Sequence, residues 1–202
     1  FIVLNKWSQI ATQGGSKIKT SIDHIIKNIN LQYRLVHRLD KETSGLLLIA
    51  KNLKYAKKLS FLFKQKEISK FYIAICEGFP KNNISQIKLE IKTKKLKIED
   101  TLTNYKVLNK NKSISSILFN PQTGKTHQLR IVSKNLGCPI IGDNKYNLYS
   151  KYKKENLMLH AFALRFTINK KKFEFISNLP DDFLNFIKRN NLNVNKDLKN
   201  YL

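Results

Sequence analysis

An α+β fold, with strands and helices sharing one core, is predicted by three observations. Short apolar, β-prone runs recur from end to end, at 1–4, 46–50, 70–76, 113–119 and 157–161. Between several of them, apolar residues fall at helical spacing. The chain has 202 residues, 42% of them hydrophobic, which is long enough for one sizeable core and requires no second. A single domain over 1–202 is the expectation.

The elements follow in order. Residues 1–4 read as a strand running into a loop from Asn5 that ends in Gly14-Gly15. Ile22, Ile25, Ile26 and Ile29 fit one face of a short helix, with Thr20 or Ser21 as its N-cap. Leu46 to Ala50 is too short to stand as a helix and reads as a buried strand behind Gly45. Asn52 can cap a second helix, with Tyr55, Leu59, Leu62 and Phe63 on one face and lysines on the other, a face either solvated or turned to nucleic acid. Residues 67–78 form a strand that stops at Gly78 and Pro80. The lysine-rich stretch 81–112 alternates only weakly and predicts peripheral strands with mobile loops. After a strand over 113–119, Pro121 to Gly124 breaks the chain. A helix then starts near Thr126, turns Leu129, Val132 and Leu136 inward and stops at Gly137. Pro180-Asp181 opens a last helix that uses Phe183, Phe186 and Ile187, and the polar tail from Asn190 onward is expected to fray.

Charge narrows the partners. There are 38 Lys+Arg against 14 Asp+Glu, a formal net charge of +24 spread along the chain. A polyanion is the simplest partner, with counterion release driving association. Lys, Asn and Ile are abundant throughout, so a compositional bias would leave part of this charge as solvated surface. Cys76 and Cys138 fit neither a disulfide framework nor a zinc spacing, which favours a reducing, cytoplasmic compartment. No apolar run approaches the roughly 18 residues of a membrane span. Gly124-Lys125-Thr126 invites a P-loop reading, but the pattern needs Gly at 119 and finds Phe119. The sequence begins at Phe1 inside a strand-like run, so upstream residues are expected to be missing.

The chemistry concentrates between Arg34 and Lys51. His37, Arg38, Asp40, Lys41, Glu42, Thr43 and Ser44 crowd the loop that feeds the strand at Leu46, placing a carboxylate among cations at the rim of a core. Such an aspartate can serve as a nucleophile; on charge alone an ordinary surface turn with ion pairs is the simpler reading. The run His37-Arg38-Leu39-Asp40-Lys41-Glu42-Thr43-Ser44-Gly45 closely resembles the H-R-L-D-x-x-T-S-G signature of the RluA/RluC/RluD family of pseudouridine synthases. The resemblance implies that Asp40 is the catalytic residue and that Arg38 contacts RNA beside it. Lys70-Phe71-Tyr72 resembles the family's K-x-Y motif, whose tyrosine lies over the target base; from the residues alone, a strand tyrosine is more simply packing. Lys125-Thr126-His127-Gln128-Leu129-Arg130 resembles a third family segment, which implies that Arg130 pairs with the catalytic aspartate.

Three departures stand out: Trp7 where the family usually has Pro, Gln9 where it often has Gly, and Val132 where it usually has His. Pro139 to Asp143 and Leu157 to Ala161 also look like family segments, with His160 read as structural. The resemblance covers about residues 1–187 and implies a mixed, largely antiparallel sheet with flanking helices, the catalytic loop lying across a basic cleft. Asp40, Tyr72 and Arg130 are the implied catalytic set, and Arg38, His37, Lys41, Lys70, Lys125 and His127 the implied RNA contacts. No metal and no cofactor are implied, and a cytoplasmic monomer acting on large-subunit ribosomal RNA is expected. Family members commonly carry an upstream RNA-binding domain, which is expected to be missing here. The competing classes are a noncatalytic RNA-binding protein, a nucleoside hydrolase and a relative acting on transfer RNA.

Overall fold

The computed structural model describes residues 1–15, 18, 20–92, 96–192 and 202. Its elements run β1 (Ile2–Lys6), α1 (Ile22–Ile29), β2 (Arg34–Leu35), β3 (Ser44–Ala50), α2 (Leu53–Lys64), β4 (Ser69–Glu77) and β5 (Ile84–Lys92). They continue through β6 (Ile98–Lys110), β7 (Ile114–Pro121), α3 (Gln128–Asn135), β8 (Leu159–Ile168), β9 (Lys171–Ile176) and α4 (Asp181–Arg189). Strands and helices alternate irregularly, and β1–β3, β2–β3, β4–β7, β5–β6, β6–β7 and β8–β9 pair antiparallel, in keeping with the expected class. The chain forms two compact units, one of residues 1–70 and 161–177, the other of residues 71–160 and 178–202.

In the first unit β3 is the axis. All seven of its residues are buried, which explains why its sequence reads as a continuous apolar run. β1 and β2 pair with it antiparallel, and β9 pairs with β8. Leu46, Leu48 and Ala50 share a face at period two and pack with Leu59 and Leu62 of α2 and Leu164, Phe166 and Ile168 of β8. The Asn52 side chain accepts from the Tyr55 N–H at 3.0 Å and starts α2 as the sequence predicts. Ser21 caps α1 in the same way, accepting from His24 N–H at 3.3 Å. Only Ile22 and Ile26 of α1 are buried; Ile25 and Ile29 are 38% and 70% exposed, against the expected inward face of four. An eight-residue helix presents one i, i+4 pair to its support, and the flanking positions face away. β9 carries no prediction because lysines surround its apolar positions, yet Phe173 and Phe175 stack on Phe166 with centroids 5.6 and 6.1 Å away.

The second unit is built on the order β4, β7, β6, β5. Its outer hairpin is regular, with the register running from Ile84↔Lys106 to Lys92↔Ile98, so the stretch 81–112 holds two long strands. Residues 93–95 lie outside the described residues. The alternation is weak in sequence because threonines take inward places: Thr101 and Thr103 are buried, and Thr101 Oγ1 donates to the Leu89 carbonyl at 2.7 Å. Leu129 and Val132 of α3 are buried, and Gly137 ends the helix at φ +75°. Phe183, Phe186 and Ile187 of α4 are buried as predicted. The tail expected to fray is described only as far as Leu192, which is buried; its remainder lies outside the described residues apart from Leu202. Cys76 and Cys138 are free and buried. Burial and a side-chain hydrogen bond with Cys138 push the Cys76 thiol well up.

Candidate active site

The loop that carries Asp40 is shaped by its backbone. The Thr43 N–H donates to the Asp40 carbonyl at 3.1 Å and closes a turn over 40–43 directly before β3. Three side chains from β1 and the loop after it then hold the carbonyls around that turn. Lys6 Nζ donates to Lys41 O at 3.2 Å and to Trp7 O and Ile10 O at 2.9 Å each. Ser8 Oγ donates to Glu42 O at 2.7 Å. Thr12 Oγ1 donates to Leu39 O at 2.7 Å and accepts from Leu39 N at 3.1 Å. Lys6 and Thr12 are each 1% exposed, so these bonds are made away from water. Burial lowers the Lys6 ammonium to about 8, against the charges of Glu42 and Asp40, which raise it.

Gly45 follows the turn at φ +108°, and a Cβ there would lie 2.3 Å from the Ala161 carbonyl oxygen. Gln9 adopts φ +68°, the left-handed conformation for which glycine is favoured, so the chain keeps that turn shape without glycine. Trp7 is 78% exposed.

His37 and Lys70 are brought together in the first unit. His37 Nε2 accepts from the Leu48 N–H at 2.8 Å, and its ring stacks on Phe63 with a centroid distance of 4.5 Å. Burial, with the nearby Lys70 charge, lowers His37 to about 3. It is a neutral ring that fixes the approach of the loop to β3, and its Nε2 is committed to that bond. Lys70 is lowered in turn by burial and by Lys66. Arg38 and Lys41 are exposed, and Asp40 is half-buried.

Tyr72 and Arg130 belong to the second unit. Tyr72 is half-buried on β4, opposite Phe119 of β7. Arg130 is buried on α3, and its Nε and Nη2 donate to the two oxygens of Asp143 at 2.8 and 2.7 Å. The same carboxylate accepts from the N–H groups of Lys145 and Tyr146 at 2.9 Å each. Burial raises the Asp143 pKa, but the Arg130 hydrogen bonds, the Tyr146 and Lys145 amides and the Arg130 charge together hold it below its ordinary value. Asp143 is thus the aspartate that grips Nε and Nη2 of this arginine, whereas the sequence names only Asp40 as its partner.

His127 starts α3 at φ 55° with no side-chain cap bond, and its Nδ1 lies 3.0 Å from the Tyr146 hydroxyl. The Arg130 guanidinium carbon lies 5.4 Å from the centre of the Tyr146 ring, so this tyrosine joins two predicted site residues. The Gln128 side chain instead ties the start of α3 to the loop before it and to β6. Its Oε1 accepts from Thr123 Oγ1 at 2.8 Å and Lys125 N at 3.0 Å, and its Nε2 donates to Thr103 Oγ1 at 3.0 Å. Lys125 pairs with Glu99 at 3.0 Å. Val132 is fully buried, so apolar packing fills the position where a polar histidine is usual. Among the described residues no group of three or more His, Cys, Asp or Glu could hold a metal ion.

Sequence reasoning missed Lys6, Ser8, Thr12 and Tyr146. All four act by contacts that local spacing does not encode, and only Lys6 leaves a trace, as a charge closing an apolar strand. The RNA pseudouridylate synthase family model matches residues 1–135, which include the Asp40 turn and its backbone clamp. The chain belongs to the RNA pseudouridylate synthase family. It is 43% identical over 201 residues to the ribosomal large subunit pseudouridine synthase C of Rickettsia prowazekii (strain Madrid E), covering 89% of this chain and 65% of that protein. It is 34% identical over 221 residues to the ribosomal large subunit pseudouridine synthase D of Borreliella burgdorferi (strain ATCC 35210 / DSM 4680 / CIP 102532 / B31), covering 96% of this chain and 68% of that protein. The chain therefore spans about two thirds of the length of these relatives. Among solved structures, the human RNA pseudouridylate synthase domain containing 4 superposes with a TM-score of 0.83 at 24% identity, over 95% of this chain and 90% of that one. At that identity the likeness shows the fold alone.

Proposed function

We propose that this chain isomerises uridine to pseudouridine in RNA, with large-subunit ribosomal RNA as the substrate class. The observation that carries the reading is the Asp40 turn, whose flanking carbonyls are held by Lys6, Ser8 and Thr12 so that one carboxylate is presented from a fixed backbone. The reaction detaches uracil from ribose, rotates it and rejoins it through carbon 5, with no net oxidation. Asp40 supplies the carboxylate, either as nucleophile toward the nucleoside or to open its sugar. Tyr72 stacks on uracil and helps remove the carbon 5 proton. Arg130, made rigid by Asp143, orients Asp40. The target uridine is flipped out of its stack at a cost of a few kcal/mol. Arg38, His37, Lys41, Lys70, Lys125 and His127 line the RNA path, the cations offsetting that cost through phosphate contacts. The relatives' ribosomal names support the substrate class. The enzyme works as a monomer, and in the cytoplasm, the latter in keeping with its two free cysteines. No described helix is long and apolar enough to cross a membrane.

The test is pseudouridine mapping of cellular RNA with and without the protein, complemented by wild type or Asp40→Asn. Loss of specific sites, restored by wild type and not by Asp40→Asn, is expected. Full restoration by Asp40→Asn overturns the assignment of the carboxylate.

A further inference from the structure

The segment from Asn144 to Lys154 projects a large aromatic side chain into water from a firmly held backbone. Tyr149 is 97% exposed, and its neighbour Leu148 is 55% exposed. The residues on either side of them, Asn147 and Ser150, are buried. Asn147 Nδ2 donates to Glu77 Oε2 at 3.1 Å and to Ile140 O at 3.3 Å, and the Tyr152 N–H donates to Ser150 Oγ at 3.0 Å. The Tyr152 ring meets Phe186 edge-on, with centroids 5.3 Å apart. The backbone conformation of this segment is therefore set by buried polar anchors, and Tyr149 takes no part in setting it.

The exposed, unpaired charges within five residues of Tyr149 in sequence are all positive. Lys145, Lys151, Lys153 and Lys154 are exposed, and none is ion-paired with a described residue. Lys145 and Lys151 lie over the rings of Tyr146 and Tyr152, 5.3 and 5.0 Å from their centres. The nearby carboxylates are committed elsewhere: Asp143 to Arg130, Glu155 to Arg189 at 3.1 Å, and Glu77 to Asn147. An exposed ring on a fixed backbone, flanked by unpaired cations, is the arrangement that takes one unstacked base on the ring and phosphates on the lysines.

We propose that residues 144–154 form a docking surface for single-stranded RNA next to the target uridine, with Tyr149 as the stacking platform for an unpaired base. The proposal rests on the pseudouridine synthase reading, because flipping the target uridine deprives its neighbours of a stacking partner. The surface is tied to the site through Asp143, which holds Arg130 with its oxygens and also accepts from the amides of Lys145 and Tyr146. Tyr149 lies six residues beyond Asp143, at most about 20 Å of extended chain, so the surface stays within a few nucleotides' reach of the carboxylate that holds Arg130.

The experiment measures affinity by fluorescence anisotropy for a short labelled single-stranded RNA of mixed sequence, and for the same strand annealed to its complement. Tyr149→Ala should weaken single-strand binding about tenfold and Tyr149→Phe should restore it, with a much smaller effect on the duplex. Replacing Lys151, Lys153 and Lys154 together by Ala should make the salt dependence shallower by about two units of slope on a log–log plot. Single-strand affinity of Tyr149→Ala within twofold of wild type, with an unchanged melting curve, overturns the proposal. So does equal weakening on single strand and duplex, or a loss confined to the binding of another protein. Pseudouridine formation by wild type is scored separately: its absence removes the enzymatic reading, whereas a silent Tyr149→Ala removes only this surface.

Discussion

Asp143→Asn tests how far the second unit depends on one buried carboxylate. The substitution keeps the shape, removes the charge and turns one oxygen into an amide that faces Arg130 donors with donors of its own. The Arg130 and Asp143 side chains are 6% and 0% exposed, so water cannot replace the lost acceptor. Breaking one partner of such a pair costs about 3–5 kcal/mol, because the amide cannot give the buried Nε and Nη2 donors the charged acceptor they lose. That is a large part of the 5–15 kcal/mol typical of a whole domain. Urea unfolding followed by far-ultraviolet circular dichroism should show the loss, and hydrogen exchange should localise it to α3 and the segment after Asp143. A second variant separates packing from chemistry. Arg130→Met with Asp143→Leu removes both charges and should recover part of the stability, less what the Lys145 and Tyr146 amides lose with their acceptor, but it should not recover turnover, because the guanidinium is gone. A loss below about 1 kcal/mol for Asp143→Asn would refute the argument that the pair is desolvated and mutually dependent.

Three further outcomes follow from the same structure. Gly45→Ala sets a Cβ 2.3 Å from Ala161 O at φ +108°, so β3 and its neighbour must separate; a sharp loss of soluble, folded protein is expected, and a normal melting temperature would contradict the contact. Lys6→Met leaves the carbonyls of Trp7, Ile10 and Lys41 without their buried donor, at about 1–3 kcal/mol for each one left unsatisfied; hydrogen exchange at residues 39–43 should speed up, and unchanged protection there would count against the clamp. His160 is fully buried, and burial lowers it to about 4, opposed by a backbone hydrogen bond with Asn178. Its folded pKa lies below the unfolded value of about 6.5, so the unfolded chain binds the extra proton in that window and stability falls as pH drops through it. From pH 7 to pH 5 His160 contributes about 2 kcal/mol to the loss, His37 adding to it in the same direction, and urea unfolding should show His160→Gln losing correspondingly less than wild type. Equal slopes in the two proteins would show that His160 is not the group responsible.

The parts legible in the sequence share a physical reason. β3, α2 and α4 announce themselves because their apolar residues follow the period of the element and are bounded by a cap or a turn residue, as at Asn52 and Pro180. The Asp40 turn is legible as a word, since nine contiguous residues match a known signature. What fails is anything fixed by distant contacts. Ile25 and Ile29 carry the helical period yet face outward, because the length of α1 and not its pattern sets how much it can bury. β5 and β6 hide their regularity behind inward threonines whose hydroxyls find partners only once the sheet exists. Cys76 and Cys138 show no relation by spacing, although the fold places their thiols within hydrogen-bonding reach. Arg130 is legible as important, but the role of Asp143 needs the turn that returns it to α3.

The hydrogen bonds that Lys6, Ser8 and Thr12 make to the Asp40 turn all go to its main chain. Lys6 and Ser8 take the carbonyls of residues 41 and 42, the two positions the signature leaves open. The shape of the loop is thereby uncoupled from the identity of what it displays. The hydrogen bonds at 41 and 42 would survive an exchange of either side chain, at position 42 with the loss of a carboxylate whose charge favours the Lys6 ammonium, so substrate preference can drift without renegotiating the backbone. Randomising these two positions should yield mostly folded proteins that differ in which uridines they modify, a freedom that a loop held by its own side chains would not have.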